Sequence, residues 1–142
     1  MKSTTTTVTK YPIYANCTHP FIYFEPTHSC YGNWNFTGPM DWTTGEAYCE
    51  LYGAHLVSIH SYDKQRFLGA MVNIAHNGFW TGAFSNDGGK SWAWSDRTPW
   101  DYNPFYSGYP KLHASACGVV WTDGIADLGC NNKVQTICKK SL

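Results

Sequence analysis

Phe79-Trp80-Thr81-Gly82-Ala83-Phe84 and, after a turn-rich break, Ser91-Trp92-Ala93-Trp94 form the stretch on which the reading of this chain turns. Both segments are short and aromatic, with glycine, asparagine and aspartate between them, the pattern of strands joined by tight turns. Immediately upstream the period changes. Phe67, Leu68, Met71, Val72 and Ala75 recur at helical spacing, Ser61 stands where an N-cap belongs, and Asn77-Gly78 closes the segment, so a helix with one core-facing stripe leads into the strands. Downstream, Gly118-Val119-Val120-Trp121 and Val134-Gln135-Thr136-Ile137 again read as strands.

Further out, Phe21-Ile22-Tyr23-Phe24 and Cys30-Tyr31-Gly32-Asn33-Trp34 flank a turn at Glu25-Pro26-Thr27-His28 and predict a hairpin. Thr43-Thr44-Gly45-Glu46 has the spacing of a capping box, which predicts a first helix capped by Thr43 and Glu46. That helix is expected to run to Tyr52, stop at Gly53, and turn Ala47, Tyr48 and Leu51 inward near Cys49. His55-Leu56-Val57-Ser58-Ile59 reads as a strand. Two helices among short strands make the class α+β. Between Ser95 and Ala116 no period survives. The segment is rich in Pro, Asp, Asn, Gly and Tyr, and an irregular loop of that length in a compact domain points to function.

The composition narrows the class of function. The chain has 142 residues, enough for one domain with its own core, and ten basic against ten acidic residues leave a formal net charge of zero. No basic block tracks phosphate, so nucleic acid is excluded as a partner, and no apolar run is long enough for a membrane span. Cys17, Cys30, Cys49, Cys117, Cys130 and Cys138 include no C-x-x-C pair and no histidine at metal-ligand spacing, so they read as three structural disulfides in a secreted, extracellular module. Residues 1–15, with a threonine run and no apolar core behind Lys2, read as a flexible leader and not a signal peptide; residues 16–142 are expected to fold. Asn35-Phe36-Thr37, and less favourably Asn16-Cys17-Thr18, are glycan-acceptor triplets.

The order of these motifs carries a resemblance. The Trp42 to Cys49 helix, Ala54-His55-Leu56-Val57-Ser58-Ile59, Trp80-Thr81-Gly82-Ala83, Trp92-Ala93-Trp94-Ser95-Asp96, Cys117, Cys130 and Ile137-Cys138 together resemble the C-type lectin-like domain from about Cys17 to Cys138. Trp80-Thr81-Gly82-Ala83 resembles that family's W-I-G-L motif, with Thr81 and Ala83 as departures. Asn86-Asp87-Gly88-Gly89-Lys90 and Asp101-Tyr102-Asn103 resemble secreted invertebrate members, nematode ones in particular. The resemblance implies two helices, small antiparallel sheets, a long irregular loop, and the pairings Cys49 with Cys138, Cys117 with Cys130 and, as in long-form members, Cys17 with Cys30.

Sugar-binding members of the family hold calcium with E-P-N or Q-P-D in the loop, an acidic residue before the next cysteine, and W-N-D before the one after. Here Tyr109-Pro110-Lys111, Ser115 and Ile125-Ala126-Asp127 occupy those places, and only Pro110 and Asp127 match. Calcium takes six to eight oxygen ligands, whereas Lys111 offers an ammonium that repels a dication. No calcium is expected there and no cofactor is assigned; an auxiliary ion through Asp101, Asn103 or Asp123 stays open. Trp92, Trp94 and Tyr102 are expected in the core. Trp100, Phe105, Tyr106, Tyr109, Lys111 and Asp127 are the candidate ligand-binding residues, because rings stack on sugar faces and also anchor protein contacts. The expected function is calcium-independent carbohydrate recognition, the alternative a cell-surface protein ligand, with a lipid or crystal surface third. There is no G-x-S-x-G elbow or H-E-x-x-H helix, and His55 and His60 lie on opposite faces of their segment, so no enzyme is read.

Overall fold

The computed structural model describes Cys17 and residues 21–33, 38–111 and 116–141; the leader, both glycan-acceptor asparagines and Ser115 lie outside the described residues. Strands β1 (Ile22–Phe24) and β2 (Ser29–Asn33) form the expected hairpin around a 3-10 turn at Glu25–Thr27. Helix α1 (Trp42–Glu50), strand β3 (His55–Leu56) and helix α2 (Tyr62–Ala75) follow. The second half contains β4 (Phe79–Ser85), β5 (Ala93–Trp94), β6 (Ala116–Trp121), β7 (Gly124–Leu128) and β8 (Gln135–Ser141). The strands run in the order β1-β2-β8-β4-β6-β7, with β3 on β8 and β5 on β4. All pairings are antiparallel except β4 with β8, which joins the hairpin half to the loop half. Disulfides link Cys17 to Cys30, Cys49 to Cys138 and Cys117 to Cys130, as the resemblance implied.

Helix α2 begins where the sequence places it. The Ser61 hydroxyl accepts from Lys64 N at 3.1 Å, and the helix ends at His76, left-handed at φ 58°, just before Asn77-Gly78. Leu68 and Val72 are buried, with Phe67, Met71 and Ala75 packed beside them. Helix α1 departs from expectation. Its cap is Asp41, whose carboxylate accepts from Thr44 N at 2.8 Å, and it stops at Glu50 and not at Tyr52. Gly45 and Cys49 face the core, while Leu51 is 80% exposed. Gly45 is inside because a Cβ there would stand 2.7 Å from Thr136 Cγ2; the close approach sets the rotation of the helix.

Glu46 does not reach back to close a capping box. Its Oε1 accepts from Leu56 N and from the Ser95 hydroxyl, each at 2.9 Å, and its Oε2 lies 2.5 Å from His55 Nδ1, so one carboxylate ties α1 to β3 and to the start of the long loop. The two departures around Trp80 have packing reasons. Buried Thr81 donates its hydroxyl to Gly118 O at 2.9 Å where the β4 to β6 register shifts, and a Cβ on Gly118 would lie 2.7 Å from that of Ala83, so a larger residue at 83 would meet β6.

Candidate functional site

The long loop leaves β5 through a set of side-chain anchors. Asp96 Oδ2 accepts from the Ser58 hydroxyl at 2.5 Å, and its Oδ1 accepts from Thr98 N at 3.0 Å and the Thr98 hydroxyl at 2.5 Å. Burial pushes the Asp96 carboxyl upward, but these hydrogen bonds outweigh it and hold the pKa below the usual carboxylate range. One turn on, His60 stands 2.7 Å from Asp101 Oδ1 through Nδ1 and 2.8 Å from Thr98 Oγ1 through Nε2. That hydrogen bond from His60 is the largest influence holding the Asp101 carboxyl below its ordinary value.

Beneath the loop lies an aromatic platform. Trp94 is buried, and Trp100 stacks on it with centroids 4.4 Å apart and planes 25° apart. Trp92 stacks on Trp100 at 6.2 Å and meets Phe105 edge-on at 5.0 Å. Trp92 and Tyr102 are partly buried against the main core, and the Tyr102 hydroxyl donates to Gln65 Oε1 at 2.8 Å. Trp100 and Phe105, both named as candidate ligand residues, are likewise partly buried in this stack.

Past the platform the loop is stitched to β7: Ile125 N donates to Pro104 O at 2.9 Å and Tyr106 N to Ile125 O at 2.8 Å. Gly124 adopts φ 140°, and a Cβ on it would strike Pro104 O at 2.7 Å, so this close approach requires glycine. Tyr106 and Tyr109 then meet edge-to-face at 6.3 Å across a turn containing Gly108, and the Tyr109-Pro110 bond is cis. Lys111 N donates to Asp127 Oδ1 at 2.8 Å, while its ammonium stands 5.0 Å from the centre of the Tyr109 ring.

The result is an open cleft of about 300 Å³ lined by Tyr106, Tyr109, Trp121, Thr122 and Ala126. Of the six sequence candidates, Tyr106 and Tyr109 line it, Lys111 stands beside Tyr109, Asp127 is buried and holds the Lys111 amide, and Trp100 and Phe105 belong to the partly buried aromatic stack. Trp121, 45% exposed, was missed, because a ring ending a hydrophobic strand looks like core. Its position at the lip of the Thr122-Asp123-Gly124 turn was the available signal.

The segments 109–111 and 125–127 meet as the resemblance implied, and their donors can be tested against calcium. The Asp127 carboxylate already receives the Lys111 amide, Ala126 supplies no side-chain oxygen, and the Lys111 ammonium lies over Tyr109. That set does not fit the oxygen cage calcium needs. Elsewhere, Glu46, Glu50 and His55 bring possible ligand atoms within 4.8 Å of one another, but both Glu46 oxygens serve Leu56, Ser95 and His55 and act as a structural tie. Among the described residues no helix is long and apolar enough to cross a membrane.

The Lectin C-type domain family model matches residues 38–140. The chain is 30% identical over 118 residues to the human C-type mannose receptor 2, a match covering 80% of this chain but only 8% of the receptor's own length. It also aligns with a solved calcium-independent type II antifreeze protein at a TM-score of 0.75 and 26% identity, covering 88% and 94% of the two chains. The C-type lectin domain of murine dendritic cell inhibitory receptor 2, solved in complex with N-glycan, aligns at 0.77 and 26%, covering 89% and 99%. The family's members are non-enzymatic binding modules. With its motifs, disulfides, fold and family match in agreement, the chain belongs to the C-type lectin domain family.

Proposed function

We propose that this chain is an extracellular module that binds saccharide in the Tyr106-Tyr109-Trp121 cleft without calcium. One observation carries the reading: three partly exposed rings converge on a 300 Å³ cleft where the loop segment 109–111 meets strand segment 125–127. A pyranose presents an apolar C–H face and a rim of hydroxyls. The ring faces suit the first, while the Lys111 ammonium, the tyrosine hydroxyls and Thr122 suit the second. The donor set that fails calcium is what directs recognition to rings and direct hydrogen bonds. The three disulfides support the extracellular part of this reading, because such bridges persist in oxidising compartments.

A protein ligand is the second reading, favoured by the exposure of Trp121 and Tyr106, since aromatic anchors of this kind also seed protein interfaces. A glycan array run in chelator separates the two. The expected result is a coherent set of saccharide hits that persist in chelator and fall at least tenfold in Trp121→Ala and Tyr109→Ala. Hits that vanish in chelator, together with a calcium-dependent rise in melting midpoint, overturn calcium independence. An array without hits overturns the saccharide reading.

A further inference from the structure

A groove of about 650 Å³ lies along the outer face of α2. Tyr62, Gln65, Arg66 and Asn73 recur at helical spacing along one face of α2, and Thr122 with Asp123 form the opposite wall. The helical span from 62 to 73 is about 16 Å long. Its floor exists because of Gly69: a Cβ there would stand 2.3 Å from Thr122 O, so the helix rests on the backbone of the β6 to β7 turn. Gln65 fixes the two walls together, donating from Nε2 to Asp123 O at 2.9 Å and accepting the Tyr102 hydroxyl at 2.8 Å.

Two properties define what such a groove accepts. Its lining mixes donors and acceptors, with Arg66 and Asn73 on the helix side and Thr122 and Asp123 on the turn side, and the opposite charges of Arg66 and Asp123 give no preference for a polyanion. Hydroxyl groups, which donate and accept, satisfy that lining. Ala70 is its only small apolar side chain, so the apolar anchors of a protein-docking groove are absent, while Tyr62, 61% exposed, supplies one ring face with Arg66 beside it at 5.9 Å. Thr122 lines both the groove and the cleft already described, so the two lie next to each other on either side of that residue.

We infer that the groove is an extended subsite in which a neutral oligosaccharide, held at one end by the Tyr109-Trp121 cleft, crosses Thr122 and lies along α2 between Tyr62 and Asn73. The inference rests on the saccharide reading of the cleft and adds chain length to it: the ligand is a run of several consecutive sugar units and not a single sugar. Affinity then grows with length through contacts to α2.

The test is calorimetry in chelator with neutral linear glucose-, mannose- and N-acetylglucosamine-based oligosaccharides of two and six units. The wild-type protein is compared with Arg66→Ala/Asn73→Ala, whose exposed helix positions tolerate alanine. For at least one series the hexamer is expected to bind about tenfold or more tighter than the dimer. The double variant should bring that ratio below about threefold without changing dimer affinity, and Tyr109→Ala should weaken both lengths. In NMR titrations, the hexamer alone should shift the Asn73 side-chain amide and Arg66 Nε signals. Equal affinity for the two lengths, or a length advantage intact in the double variant, overturns the extended subsite and leaves the cleft standing. Absence of binding by every series overturns both together.

Discussion

Lys64 lies in the core, 2% exposed, with Nζ donating to Ser58 O at 3.0 Å and standing 4.2 Å from the Tyr31 ring centre. Burial is the main cause that brings its pKa down to about 6; Lys139 adds to the shift and Asp96 opposes it. At neutral pH the amine is therefore mostly uncharged, and its contact with Tyr31 is packing more than cation attraction. In the unfolded chain the same group titrates near its ordinary value of about 10.4. Between those limits the unfolded chain holds one more proton than the native one, so stability rises with pH through the window. Below pH 6 both states are protonated and the full cost of a buried ammonium is felt. Lys64→Met is expected to raise the urea midpoint most at pH 5 to 6, with the gain shrinking toward pH 10. Urea melts across that range check it, and a gain independent of pH would locate the charge penalty elsewhere.

At the scale of elements, Glu46 holds α1, β3 and the root of the loop with one carboxylate. Glu46→Ala leaves the Leu56 amide without its acceptor and is expected to cost about 2 to 3 kcal/mol, read from guanidinium unfolding. The same residue shows where sequence reading ends. The Ser61 cap and the α2 stripe were legible because every partner lies within a turn or two of chain. Glu46 sits at capping-box spacing from Thr43, yet its partners are 9, 10 and 49 residues away, and Asp41, one position before the helix, took the cap. Tertiary hydrogen bonds overrode a local pattern. The site divides in the same way. A tyrosine-rich, proline-bearing loop announced Tyr106 and Tyr109, whereas Trp121 and the α2 groove arise only when the β6 to β7 turn is pressed against Gly69. Trp100 and Phe105 carry the same aromatic signal as Tyr106, and only packing distinguishes a supporting ring from a contacting one.

For the whole molecule, β8 is the common member: it pairs with β2, β3 and β4, and it carries Cys138. The Cys49-Cys138 bridge spans 89 residues of sequence, for which chain-entropy reasoning gives about 4 to 5 kcal/mol. Removing it as Cys49→Ala/Cys138→Ala is expected to lower unfolding free energy by about 2 to 5 kcal/mol, by the same denaturant measurement. To the tie that Glu46 makes at its root, the loop adds anchors of its own at Ser58, His60 and β7. The stacked indoles of Trp92, Trp94 and Trp100 have an optical consequence. Transition dipoles held so close and at fixed angles couple and split into an exciton pair, giving the platform a circular-dichroism band of its own. The stack thus carries a spectroscopic reporter of its own integrity, distinct from the signals of the backbone.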